Sequence, residues 1–373
     1  MRRTAVGLML LNVGGCAYLS QATSPKQPDR RLPPQAASLA GDGGTPRITA
    51  QGSSAATYVV FADTFWNTLD HRHPVVKRIK PGDVVVTKTL DASGYDDHDV
   101  PRAASGNPMV GPFYVEGAEP GDAIVVHFRR LRLNRPTAWS YYRLGTFAQL
   151  PDAVEKLYAN SYKPGSVRPG RANLLLWDVD VANATVKIHD PQSAVVKLEF
   201  PAQPMLGVVG VAPAGDFAPT SGPSDSYGGN MDFNEIREGA TLYLPVFHPG
   251  ALLFMGDGHA LMADGEPTGA GLETSLDVEF TTEVKKGARL TNPRVESADY
   301  IMSVGSQREF VSTLDYALKV ATTDMIRWLT EDYKLEPWAA HTMIGAIGEY
   351  EVVTVAGSMA LKVAKKHLPA RTP

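Results

Sequence analysis

The stretch GGNMDFNEIREGATLYLPVFHPGALLFMGDGHALMADGE, Gly228 to Glu266, carries two kinds of information. Its apolar runs TLYLPVF (241–247) and ALLFMGD (251–257) have strand length, and Gly or Pro turn signals bound them. Such runs read as buried β-strands. Around them, Asn230, Asp232, Asp257, His259, Asp264 and Glu266 sit among glycines. Glycine permits positive φ and close approach of backbone to a ligand. Aspartate, glutamate and histidine supply the oxygen and imidazole ligands that hard or borderline metals prefer. The stretch predicts strands joined by tight turns that bear a metal or catalytic site.

The same pattern continues outward. DVVVTKTL (83–90), GPFYVEG (111–117), AIVVHFRRLRL (123–133), NLLLWDVD (173–180), LGVVGVAP (206–213) and LETSLDVEFTTEV (272–284) are strand-like runs between turn signals. Two PGD triplets, at Pro81–Asp83 and Pro120–Asp122, each precede such a run and read as corner turns. With Gly 34 and Pro 28, the composition favours strands and turns over a helical bundle. The expected fold is mainly β, with a sandwich or barrel core. Helical periodicity is expected late in the chain, near 313–333, 336–344 and 358–368.

The N-terminus reads as a targeting segment. Arg2 and Arg3 precede a short apolar run, Ala5 to Val13, too short to span a bilayer as a helix. It ends in Val13-Gly14-Gly15-Cys16, which resembles a bacterial lipoprotein cleavage site, and Cys16 is the expected lipidation residue. Residues 1–16 are therefore the expected signal or lipoprotein segment. Residues 17–53, rich in Pro, Gly, Ser and Gln, are the expected flexible tether, and 54–373 the catalytic region. The expected location is export, periplasmic or anchored to a membrane only through the lipid. A net charge of −4 gives no sign of a nucleic-acid partner.

Four polar clusters carry the chemistry. Asp91 lies at the end of a strand-like run, next to the DDHD loop of Asp96 to Asp99. Asn107 opens the second cluster, and Gly229-Asn230 with Asp232 forms the third. Backbone N–H groups of the GGN turn could face one carbonyl oxygen, and Asn230 and Asp232 share a face if extended. In the fourth, Asp257 and His259 are separated by one glycine. A divalent metal on carboxylates and one His would generate a nucleophilic water, and a nearby Glu such as Glu266 could move the proton. A G-x-S-x-G elbow, a phosphate loop and H-E-x-x-H are absent, and the sole cysteine is Cys16.

TLDASG (89–94), NPMVGPFYVEGAEPGD (107–122), the Gly228–Glu266 stretch and, more weakly, EYEVVTVAGSMAL (349–361) resemble the acetamidase/formamidase family in motif and order. The resemblance implies a mainly β fold with smaller α+β parts, and hydrolysis of short linear amides to carboxylate and ammonia. It implies a divalent metal, zinc or calcium, and a homo-oligomer, dimer or higher. Carried onto this chain, it puts Asp91, Asp257 and His259 nearest the metal. Glu266 and Asn230 lie beside it. From the clusters themselves, Glu266, Asn230 and Asp232 are the expected catalytic residues, and Asn107, unless it only holds a loop, and Gly229 the expected substrate contacts. Residues 134–171 match no motif of that family. The alternatives are a ligand-binding lipoprotein without turnover, or a hydrolase of a larger or cyclic amide.

Overall fold

The computed structural model describes residues 55–141, 148–150, 152, 174–189, 193–306 and 313–371. The expected leader, tether and Cys16, and most of 142–171, lie outside them. No helix among the described residues is long and apolar enough to cross a membrane.

Among the described residues, two large sheets share one core. The first has nine strands, with Leu276–Lys285 between Val84–Lys88 and Ala123–Leu133, and it runs out through Thr241–Pro245 to Glu349–Thr354 at the far edge. In Leu276–Lys285 buried and partly exposed residues alternate, because successive side chains point to opposite faces. The second sheet has eleven strands, with Leu253–His259 at its centre. Met205–Val211 and Leu253–His259 are buried at every position, which explains the continuous apolar run of the first and of Leu253–Met255 in the second. Phe113 from the second sheet meets Phe280 from the first edge to face, 5.3 Å between ring centres. The β-sandwich expectation holds.

Each PGD acid closes its own turn. Asp83 accepts from the Ala56 and Lys80 amides, and Asp122 from those of Glu119 and Gly287.

Two of the three expected helices are present, Leu314–Glu331 and Pro337–Ile347. The third is a correction. Residues 358–368 begin as the strand Ser358–Ala364 and finish in a short 3-10 turn, Lys365–His367. SMALKVA has helix-forming letters, but it pairs with Tyr300–Gly305 on one side and Glu349–Thr354 on the other. Two ladders and a buried face override local propensity. The first helix packs on this sheet through the buried Arg294–Asp324 pair, two hydrogen bonds of 2.8 and 3.0 Å.

Candidate metal centre

Asp257 and His259 lie two apart on the central strand of the second sheet. Three further acids reach them. Glu273 comes by direct cross-strand pairing with His259. Asp232 follows the strand Gly228–Asn230, which pairs with Met205–Val211 next door. Glu266 comes from the loop after His259, pinned where the Val355 amide donates to the Gly265 carbonyl at 2.8 Å.

Two sets of ligand atoms converge, and they share His259. Asp257, His259 and Glu273 form one set, and Asp232, His259 and Glu266 the other, with the atoms of each within 4.8 Å of one another. His259 Nε2 is 3.1 Å from Glu273 Oε1 and 3.6 Å from Asp257 Oδ1. Asp232, Asp257, His259 and Glu273 are buried, and Glu266 is partly exposed.

The cluster is incomplete as a hydrogen-bond network. Asp232 Oδ1, Glu273 Oε2 and His259 Nδ1 are buried without a hydrogen bond, and the short approach of His259 Nε2 to Glu273 and Asp257 lacks hydrogen-bond geometry. Buried polar atoms are nearly always paired, so a convergent set of orphans needs an explanation. Three carboxylate oxygens and an imidazole are the donor set of a divalent cation, and the residues fit one.

The electrostatics agree. Burial, then the charge of Asp257, pushes the Asp232 carboxyl up to about 7. Burial lifts Glu273 to about 8 against the opposing pull of His259. Burial, then Asp232, raises Glu266 well above its ordinary value. Burial works against a charged His259, but Glu273 and Asp257 outweigh it and raise the imidazole. Burial and mutual repulsion thus favour the protonated form of these acids, and a bound cation would act in the opposite direction.

Strain marks the same residues. Asn107, Asp232, Asp257 and Glu266 have φ of 56°, 48°, 58° and 46°, in the left-handed region. Such positions cost roughly 1–3 kcal/mol each and collect where function dictates geometry. Two glycines make room. A Cβ on Gly207 would stand 2.5 Å from Asp232 Oδ1 and 2.5 Å from Asp257 Oδ2, and one on Gly271 2.5 Å from His259 Nδ1.

Two asparagines orient the acids. Asn107 Nδ2 donates to Asp257 Oδ2 at 3.1 Å and to Asn230 Oδ1 at 3.2 Å. Asn230 Nδ2 donates to Asp232 Oδ2 at 2.6 Å.

The structure thus gathers Asn107, Asn230, Asp232, Asp257, His259 and Glu266. It corrects Asp91 as a metal ligand. Asp91 Oδ2 accepts from Arg135 Nη2 at 2.9 Å and Trp139 Nε1 at 3.0 Å, while Oδ1 takes the Ser93 and Tyr95 amides. A carboxylate so occupied offers no lone pair inward. Gly229 serves packing: a Cβ there would strike the Pro223 carbonyl at 2.6 Å. Asp264 is exposed and bonds Asn234. Asp96, Asp97 and His98 also lie within 4.8 Å of one another, but Arg102 and Lys88 neutralise the two acids. Glu273 is the member of the cluster that the sequence reading lacks. In sequence it looks like one more residue of a strand-like run, and only its cross-strand register reveals it.

A profile of the acetamidase/formamidase family matches residues 62–222 and 214–336. The chain belongs to the acetamidase/formamidase family. A formamidase of Methylophilus methylotrophus is 27% identical over 57% of this chain and 61% of its own length. An acetamidase of Mycolicibacterium smegmatis is 26% identical over 53% of this chain and 58% of its own length. These alignments span only about three-fifths of either relative. The crystal structure of an acetamidase from Yersinia enterocolitica superposes with a TM-score of 0.69 at 26% identity, over 86% of this chain and 96% of that one. The family assignment agrees with the resemblance seen in the motifs.

Proposed function

We propose that this chain hydrolyses the carbon–nitrogen bond of linear primary amides, releasing a carboxylate and ammonia. The observation that carries this is the buried convergence of Asp232, Asp257, Glu266 and Glu273 on His259, with several of their polar atoms lacking hydrogen bonds. Its setting in the acetamidase/formamidase family supports it.

Asp257, His259 and Glu273, with Asp232, would hold a divalent ion; zinc suits the imidazole and calcium the carboxylates. When bound, the ion would supply Lewis acidity toward the amide carbonyl and toward water. The protein's own groups do the rest. Asn107 and Asn230 hold the Asp257 and Asp232 carboxylates in fixed orientation, which preorganises the site. Glu266 is the least buried acid of the cluster. It is placed to deliver a proton to the departing nitrogen and to exchange it with solvent. The buried walls exclude bulk water around these charges.

Ammonia release from formamide and acetamide by the full chain tests this. Glu266→Gln and Asp257→Asn should each lower turnover by a factor on the order of 10² or more with the fold retained. Full turnover in both variants would remove the assigned roles.

Export with lipidation at Cys16 and a homo-oligomeric state are part of the proposal. Supporting it are the Val13-Gly14-Gly15-Cys16 pattern and the family resemblance. Mass spectrometry of the mature N-terminus and light scattering test the two.

A further inference from the structure

We infer that the site takes primary amides with an apolar, aryl-sized acyl group in preference to acetamide. This rests on the amide-hydrolase reading and specifies its substrate.

An open cavity of about 400 Å³ adjoins the centre at Asn107; its lining is mixed, with Ser93, Ser105 and Asn107 as polar groups and Trp139, Tyr141 and Leu174 as apolar ones. Asn107 is also the residue whose amide bonds Asp257 at 3.1 Å, so the cavity begins one side chain away from the cluster. Trp139 approaches from a second direction, as the cross-strand partner of Glu273. A methyl group leaves nearly all of such a volume empty, whereas cavities of ~300–1,000 Å³ suit larger organic groups, and here the two aromatic rings offer such a group its contact surface.

Trp139 is the fixed member of the aromatic pair. The Trp139 indole N–H donates to Asp91 Oδ2 at 3.0 Å, and Asp91 is held in turn by Arg135 at 2.9 Å. Arg135, Asp91 and Trp139 are all buried. The Tyr141 ring meets the Trp139 ring edge to face at 5.8 Å. A fixed aromatic surface binds an apolar group with little ordering cost. This gives a purpose to the buried Asp91–Arg135 pair, which the metal centre does not use.

Orientation decides which part of the substrate enters. Asn107 and Trp139 adjoin Asp257 and Glu273, whereas Glu266 groups with Asp232 and His259. The departing nitrogen faces Glu266, so the acyl group faces the cavity. Water adds to the carbonyl carbon, the carbon–nitrogen bond breaks, and arylalkyl carboxylate and ammonia leave.

The test compares ammonia release from 2-phenylacetamide and acetamide by the full chain, as a ratio of kcat/KM within one preparation, so that loss of folded protein cancels. A ratio on the order of tenfold or more in favour of phenylacetamide is expected. Tyr141→Ala should narrow it by about threefold or more, and Trp139→Phe, which keeps a ring but lacks the tether to Asp91, should narrow it too. Acetamide turned over as well as phenylacetamide, or a ratio unmoved by both variants, overturns the inference. Release from neither amide overturns the amide-hydrolase reading itself, and this assignment with it.

Discussion

Replacing Gly207 with alanine adds one methyl group between two site carboxylates. The new Cβ would lie 2.5 Å from Asp232 Oδ1, 2.5 Å from Asp257 Oδ2 and 3.1 Å from Asp257 Cγ. Comfortable separations for such atoms are about 3.5 Å, so each carboxylate must yield roughly 1 Å. Neither moves easily: both are buried, and Asn230 and Asn107 bond them. Overpacking of this kind costs typically 1–3 kcal/mol in stability. Gly207 does not need a positive φ, so alanine brings no backbone strain of its own. A displacement of about 1 Å at reacting groups costs on the order of 10²-fold in rate, and disturbed ligand orientation ~10–100-fold in metal affinity. Thermal unfolding, titration calorimetry with zinc or calcium, and ammonia release would be measured side by side. Gly345→Ala is the control, since nothing lies within 4 Å of its Cβ position in the helix Pro337–Ile347. That variant should gain about 0.5–1 kcal/mol and keep full activity. A Gly207→Ala protein with native metal affinity and turnover would refute the geometry assigned to Asp232 and Asp257.

Asp324→Ala should cost about 3–5 kcal/mol in denaturant unfolding, because it strands the buried Arg294 guanidinium beneath the first helix; a change below about 1 kcal/mol would mean that water reaches that arginine. In chelator, stability should fall as pH rises from about 4 to about 8. Asp232 and Glu273 go from ordinary values of 3.8 and 4.5 when unfolded to about 7 and about 8 when folded, so the folded state binds the extra protons and loses that advantage as they leave. The raised His259 acts in the same direction. Saturating metal should flatten the profile, and a melting temperature that rises over this interval without metal would contradict the assigned shifts.

Much of this architecture could be read from local pattern. TLYLPVF and ALLFMGD are strands because their apolar letters are continuous between turn residues, and Asp257 and His259 share a face because they are two apart. What failed depended on distant chain. Glu273 joins His259 only through cross-strand register, a contact that no spacing encodes. Asp91 ends a strand beside the DDHD loop as a ligand might, but Arg135, forty-four residues later, claims its carboxylate. Ser358–Ala364 carries helical letters and becomes a strand because two neighbours pair with it. The left-handed φ at Asn107, Asp232 and Asp257 was only weakly legible, since Asn and Asp tolerate that region without requiring it, and at Glu266 nothing in the side chain announces it.

The most direct test of the central claim is metal content and turnover measured together on the purified full-length protein. The protein should hold a divalent ion, lose it with its ammonia-releasing activity in chelator, and regain both on adding the metal back, while Glu273→Gln binds the ion at least ~10-fold more weakly. Amide hydrolysis that survives complete removal of metal, or a Glu273→Gln protein that holds the ion as tightly as the native chain, would contradict it.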